Sequence, residues 1–204
     1  MRLLISGGRV IDPKQGLDGL MDVAVAAGRV VAVAPKGTLS ADFKPQRTLD
    51  ASGRWVMPGL VDLSARLREP GYEYMATLES EIDAALAGGV TSLVCPPDTD
   101  PILDEPGLVE MLKFKAQQLN LSKVYPLGAL TTGLAGLEIT EMAELAEAGC
   151  IGFSQAEQPV YDTRVLLRAM QYAKSFGFTV YLRPIEPHLS KGGVAHAGAY
   201  ASRM

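Results

Sequence analysis

The chain has 204 residues, 48% of them hydrophobic and 21% charged, with a formal net charge of −4. That balance belongs to a globular protein with enough apolar material for a core, and it excludes a disordered tail. No basic run offers a footprint for nucleic acid or an anionic membrane, so small molecules or other proteins are the expected partners.

The opening Met1-Arg2-Leu3-Leu4-Ile5-Ser6-Gly7-Gly8 breaks too early for a signal peptide, and no apolar run is long enough to span a bilayer. A cytoplasmic protein is expected. Residues 1–55 give short strands broken by Gly and Pro: Leu3–Ser6, Arg9–Ile11, Met21–Ala26, Val30–Val33 and Arg47–Asp50. They form the N-terminal part of a small β-domain of the sandwich type.

From Val56 to residue 204 the rhythm changes to strands alternating with helices, the pattern of a parallel sheet built of βα units. Strands are predicted at Gly59–Leu63, Thr91–Cys95, Lys123–Leu127, Ile151–Ser154 and Thr179–Arg183. Helices are predicted near Tyr74–Ala87, Glu105–Leu119, Glu138–Ala148 and Thr163–Phe176, with caps at Gly88-Gly89, Gly149 and Gly177. The fold class is therefore α/β. Five units make the first part of a (β/α)₈ barrel, which typically needs about 250 residues by itself. We expect the N-terminal part of a longer protein, because a lone half-barrel exposes open strand edges; a five-stranded domain that closes by self-association is the alternative.

Cys95 and Cys150 are the only cysteines. Two in a chain of this size make neither a disulfide framework nor a zinc knuckle, and buried free thiols are expected. Ser6-Gly7-Gly8 and Lys191-Gly192-Gly193 lack the spacing of phosphate-cradling loops and read as turns. Glu79, Glu81 and Asp83 read as the wet face of the first barrel helix. Met111, Phe114 and Met142 read as packing residues in preference to exposed anchors.

The end of the first barrel strand carries the most chemistry: Pro58-Gly59-Leu60-Val61-Asp62-Leu63-Ser64-Ala65-Arg66-Leu67-Arg68-Glu69-Pro70-Gly71. Strand alternation would put Asp62, Ser64, Arg66 and Arg68 on one face. This stretch resembles the dihydroorotases, cyclic amidohydrolases of pyrimidine biosynthesis, whose pattern there is Pro-Gly-x-x-Asp-x-His-x-His-x-Arg-Glu-Pro-Gly. Further segments carry the resemblance along nearly the whole chain. They are Ala87-Gly88-Gly89-Val90-Thr91-Ser92 with Cys95-Pro96-Pro97-Asp98-Thr99, Lys123-Val124-Tyr125-Pro126-Leu127-Gly128-Ala129-Leu130-Thr131, and Glu141-Met142-Ala143-Glu144-Leu145 with Gly149-Cys150-Ile151-Gly152-Phe153-Ser154. The C-terminal run from Gly192 to Met204 resembles an internal segment leading into the next helix of that family.

The resemblance implies a barrel whose strand ends hold zinc, and four of the family's ligand positions fall in this chain. Ser64 and Arg66 stand where the family has its two histidines. After the fourth strand the family has Phe-Ser-Asp-Asp-Gly, and here Phe153-Ser154 is followed by Gln155-Ala156-Glu157. After the fifth it has a His-Cys-Glu-Asp run, and here Arg183-Pro184-Ile185-Glu186. A guanidinium is a permanent cation with no lone pair to give, so no cofactor metal is expected. His188 and His196 read as surface or loop residues. Of the family's substrate-carboxylate contacts Arg68 survives, whereas the asparagine is replaced by Asp98, which would repel a carboxylate and pair with Arg68 or Arg66 instead. Arg66 and Arg183 are expected to replace the metal's charge, with Asp62, Asp98 and Glu186 as counter-charges.

No catalytic residue is assigned: Ser154 beside Gln155, and Thr131-Thr132, have no histidine–acid pair to activate them. The chain is most similar to the non-catalytic dihydroorotase-like subunit that assembles with bacterial aspartate transcarbamoylase. That resemblance implies a homo- or hetero-oligomeric assembly with the transcarbamoylase catalytic chain. Two rival readings follow from the same residues. One is an active amidohydrolase with a relocated or mononuclear metal; the other is an anion-metabolite sensor using Arg66, Arg68 and Arg183.

Overall fold

A computed structural model describes residues 1–186, 188, 193, 196 and 198–203, and they divide into two units, Met1–Gly59 and Leu60–Met204. The first unit is built around one long strand. The expected pair Leu3–Ser6 and Arg9–Ile11 is a single strand, β1 (Arg2–Asp12), paired antiparallel with β2 (Leu17–Ala26) and carrying a register shift between Ile5 and Gly8. Glycines make that bulge possible. Gly7 has φ +71°, and a Cβ on Gly8 would stand 2.5 Å from a Val56 methyl. β3 (Arg29–Pro35) extends the sheet beyond β2, while β4 (Arg47–Asp50) and β5 (Trp55–Val56) run parallel to β1. These five strands form one mixed sheet.

In the second unit strand order follows chain order. β6 (Leu60–Asp62), β7 (Val90–Cys95) and β8 (Lys123–Pro126) form a parallel ladder, and so do β9 (Gly128–Ala129), β10 (Phe153–Ser154) and β11 (Val180–Tyr181). Leu127 between β8 and β9 donates its N–H to the Cys95 carbonyl at 2.9 Å. The helices α1 (Leu78–Ala87), α2 (Pro106–Leu119), α3 (Met142–Ala148) and α4 (Thr163–Phe176) alternate with these strands. The core gathers Ile82, Leu93, Leu112, Met142, Leu145 and Phe153, each at most 1% exposed.

Helix boundaries differ from expectation for local reasons. α1 starts at Leu78, not near Tyr74, because Thr77 and Ser80 form a reciprocal capping box. The segment ahead of it is turns, with Tyr72 N–H bonded to the Arg68 carbonyl. α3 starts at Met142, not Glu138. Ile139 pairs as a bridge with Thr131, and Thr140 is held by its hydroxyl on the Ala129 carbonyl at 2.6 Å. Asp162 caps α4 through Arg164 N–H, and Gly149 and Gly177 end α3 and α4 with left-handed backbone. Asn120 does the same for α2, a cap the glycine pattern did not reveal.

The strands are shorter than the apolar runs suggested; the fifth spans Val180–Tyr181 against the expected Thr179–Arg183. Met142 is buried as expected, but Phe114 is 63% exposed on α2. Glu79 and Asp83 face solvent and Glu81 is half-buried. Of the C-terminal run and the expected turn at Lys191–Gly193, residues 191, 192, 194, 195, 197 and 204 lie outside the described residues. Among the described residues no helix is long and apolar enough to cross a membrane.

Candidate functional site

β6 ends at Asp62, so the alternation proposed for Asp62, Ser64, Arg66 and Arg68 does not continue as strand geometry. Asp62 turns its carboxylate back to accept from Ser64 N–H at 2.9 Å, and Arg68 has φ +63°. Asp62 is thereby a turn-forming residue, and it makes no salt bridge to Arg66 or Arg183 among the described residues.

The strand ends nevertheless converge. The Arg66 guanidinium donates through Nε to Asp98 Oδ2 at 2.8 Å and through Nη2 to Glu157 Oε1 at 3.2 Å. Arg183 Nη1 donates to the second Glu157 oxygen, Oε2. Four residues that follow β6, β7, β10 and β11 are thus linked in one chain of ion pairs. Asp98 pairs with Arg66 as the charge argument expected. Glu157 is the counter-charge that sequence reasoning missed; its signal was an acid two residues past Gln155, at the same strand end. The expected counter-charge Glu186 lies 3.0 Å from His188 Nδ1 through its Oε1, while His188 and His196 are both exposed. The Asp98 carboxylate, helped by the second acid Glu157, outweighs the lowering effect of burial and raises the already high pKa of Arg66, so the guanidinium keeps its charge.

Gln155 is built into the interior. It is 1% exposed, accepts from the Thr131 hydroxyl at 2.9 Å and donates Nε2 to the Leu134 carbonyl at 2.8 Å. The same Thr131 oxygen accepts from Gly136 N–H at 2.9 Å. Both ends of the amide are therefore committed to the protein, and Thr131 is a link in that network. Ser154 Oγ accepts from Ala156 N–H at 3.0 Å.

Arg68 stands apart. It lines a cleft of about 220 Å³ with Tyr72, Tyr74, Met75 and Thr99, beside the Arg66–Asp98 pair, and it makes no ion pair among the described residues. The loop carrying it is anchored by Glu69, which accepts from Lys115 Nζ at 2.6 Å and from Leu78 N–H at 3.1 Å. Gly71 packs against Asp100, where a Cβ would lie 2.2 Å from the carbonyl oxygen. Cys95 lies under this cleft, 1% exposed and with its thiol pushed up to about 12 by burial; burial does the same to Cys150.

A zinc centre of the family type would need neutral imidazoles and a carboxylate at Ser64, Arg66, Gln155 and Arg183. The residues present do not fit that ion: two are permanent cations already paired with acids, and one is an amide with both ends bonded. Among the described residues no three His, Cys, Asp or Glu side chains group as a metal site.

This fold is shared with the amidohydrolase barrels. An L-hydantoinase (dihydropyrimidinase) from Arthrobacter aurescens superposes with a TM-score of 0.74 over 89% of this chain and 40% of its own, at 21% identity. The family description "Dihydro-orotase-like" matches residues 53–203, and the chain belongs to that family. Relatives include a dihydroorotase-like protein of Pseudomonas putida, 45% identical over 99% of this chain, and one of Pseudomonas aeruginosa at 44%. A dihydroorotase of Anaeromyxobacter dehalogenans is 41% identical over the same share. The chain spans 46–47% of the length of these relatives.

Proposed function

We propose that the chain is part of a non-catalytic dihydroorotase homologue of pyrimidine biosynthesis, acting in the cytoplasm as a structural subunit of aspartate transcarbamoylase. One observation carries the reading: the residues at the family's ligand positions are engaged with protein partners, Arg66 and Arg183 with acids and Gln155 with Thr131 and Leu134. Without a metal, the hydroxide nucleophile and the Lewis acid for ring-amide hydrolysis are both missing. A fold released from catalysis can be kept for its surface, because a subunit that stabilises a partner acts through interface area.

The test is co-purification of the full chain with the aspartate transcarbamoylase catalytic chain of the same cell, scoring complex mass, zinc content and transcarbamoylase activity with and without this subunit. A zinc-free stoichiometric complex whose activity depends on the subunit is expected. Absence of association, or stoichiometric zinc together with dihydroorotate hydrolysis, would sink the reading. Arg68, which lines its cleft without an ion pair among the described residues, favours a second reading in which the remnant pocket senses an anionic metabolite. A thermal shift with carbamoyl aspartate that is lost in Arg68→Gln would support it.

A further inference from the structure

The ligand-position arginines are joined through one carboxylate. Glu157 offers Oε1 to Arg66 and Oε2 to Arg183, and Arg66 uses its remaining fork edge, Nε, on Asp98. Two positive and two negative side chains close into a neutral chain. Its members are far apart in sequence, with separations of 32, 91 and 26 residues along the successive links.

The Arg66–Glu157 link matters most for geometry. β6 and β10 are not neighbours, since β6 belongs to the ladder β6-β7-β8 and β10 to the ladder β9-β10-β11. Backbone ladders already tie adjacent strands, whereas this link is a chord across the strand ends, the connection a bridging metal makes between ligands from separate strands. Guanidinium suits the task because its planar fork holds two acids in fixed directions without losing its charge.

We propose that the chain Asp98–Arg66–Glu157–Arg183 is an electrostatic clamp that takes over the structural work of a metal at these strand ends, making the tie between them metal-independent and salt-dependent. The inference rests on the reading above that no family-type metal binds. The clamp is partly exposed, with the Arg66 and Glu157 side chains 33% and 43% accessible, so added salt screens it. A buried metal cluster would not respond in that way.

Thermal unfolding of the full chain tests the clamp, in roughly 50 mM and 500 mM NaCl and with EDTA or zinc added. Glu157→Gln, nearly isosteric, is expected to lower Tm by about 2–4 °C at low salt, and the gap should shrink at high salt. Glu157→Gln combined with Arg66→Gln should cost less than the sum of the two, because they share one link. EDTA and zinc should leave the wild-type midpoint in place. Strict additivity of the two variants, or a wild-type midpoint that falls in EDTA, would overturn the clamp. The salt response of the wild type needs no variant, so a misfolded mutant does not spare the inference; a salt-insensitive wild type overturns it. A failed cycle with an intact transcarbamoylase complex removes the clamp alone, and a lost complex with an intact cycle removes the assembly reading alone.

Discussion

In the first unit the Asp22 carboxylate is 4% exposed and is satisfied by backbone: Gly7 N–H and Gly37 N–H each donate at 2.8 Å, and the Ser6 hydroxyl adds a third bond at 2.9 Å. In the second unit Glu157 is satisfied by two long cationic side chains, with 43% of its own side chain accessible. Both carboxylates join segments distant in sequence, but the donors differ in freedom. Backbone N–H groups are fixed by the strand at Gly7 and the turn at Gly37, so little entropy is lost in aiming them; arginines must be immobilised, and water competes for them. Rigid backbone donors suit a knot that must hold a bulge, while mobile side-chain donors suit a replaceable tie.

The sharpest way to break the comparison is to remove Asp22. Asp22→Ala leaves the buried Gly7 N–H and the part-buried Gly37 N–H without their acceptor and should destabilise the first unit by about 2–4 kcal/mol, more than any single substitution in the clamp. Trp55, the only tryptophan, lies in β5 of that unit and reports its unfolding in urea by fluorescence. A loss below that of Glu157→Gln would reverse the ranking. Burial alone would raise the Asp22 pKa; the Gly37, Gly7 and Ser6 hydrogen bonds and nearby Lys36 outweigh it and hold the carboxyl below its ordinary value. The sign follows directly. A depressed folded-state pKa contributes stability that is full above the unfolded value of about 4 and disappears as pH falls through the folded value. Asp22→Asn should therefore flatten the acid limb of stability that the wild type shows below about pH 4, both followed by Trp55 fluorescence.

Glu69 sits between these extremes. Its carboxylate combines one backbone donor, Leu78 N–H at the start of α1, with one side-chain donor, Lys115 on α2, and its side chain is 15% exposed. Glu69→Ala should cost about 1–2 kcal/mol, and Lys115→Met less than half of that, if fixed donors outweigh mobile ones. Equal losses, measured by urea unfolding followed by circular dichroism, would mean that donor freedom does not set the ranking.

Much of the architecture was legible in the residues because it rests on local chemistry. Glycines at helix ends, the alternation of apolar strands with amphipathic helices, and the shift in rhythm near residue 56 all come from backbone conformation and short-range pattern. What was not legible depends on contacts between distant segments. Glu157 follows Gln155 by two residues, and nothing local says that both of its oxygens meet arginines 91 and 26 residues away. Asp62 was read as a counter-charge from strand alternation, but an acid two residues ahead of a free N–H folds back onto it once the strand ends. Ser64, Arg66, Gln155 and Arg183 were picked out by the resemblance, and the partners that engage the last three became visible only in three dimensions.

The smallest expected effect tests the same idea at full exposure. Arg9 and Asp18 form a two-pronged pair across β1 and β2, Nε to Oδ1 at 2.7 Å and Nη2 to Oδ2 at 2.8 Å, with about half of each side chain accessible. Its geometry is better than that of the Arg66–Glu157 link, and Arg9 holds the Asp18 carboxyl below its ordinary range. If geometry set the worth of an ion pair, Asp18→Asn would cost more than Glu157→Gln. If long-range connection and partial burial set it, as the contrast between Asp22 and Glu157 indicates, Asp18→Asn should leave the unfolding midpoint unchanged within error at ordinary salt. The hairpin's own ladder already fixes Arg9 opposite Leu20 and Ile11 opposite Asp18, so the pair closes no segment that the backbone leaves open.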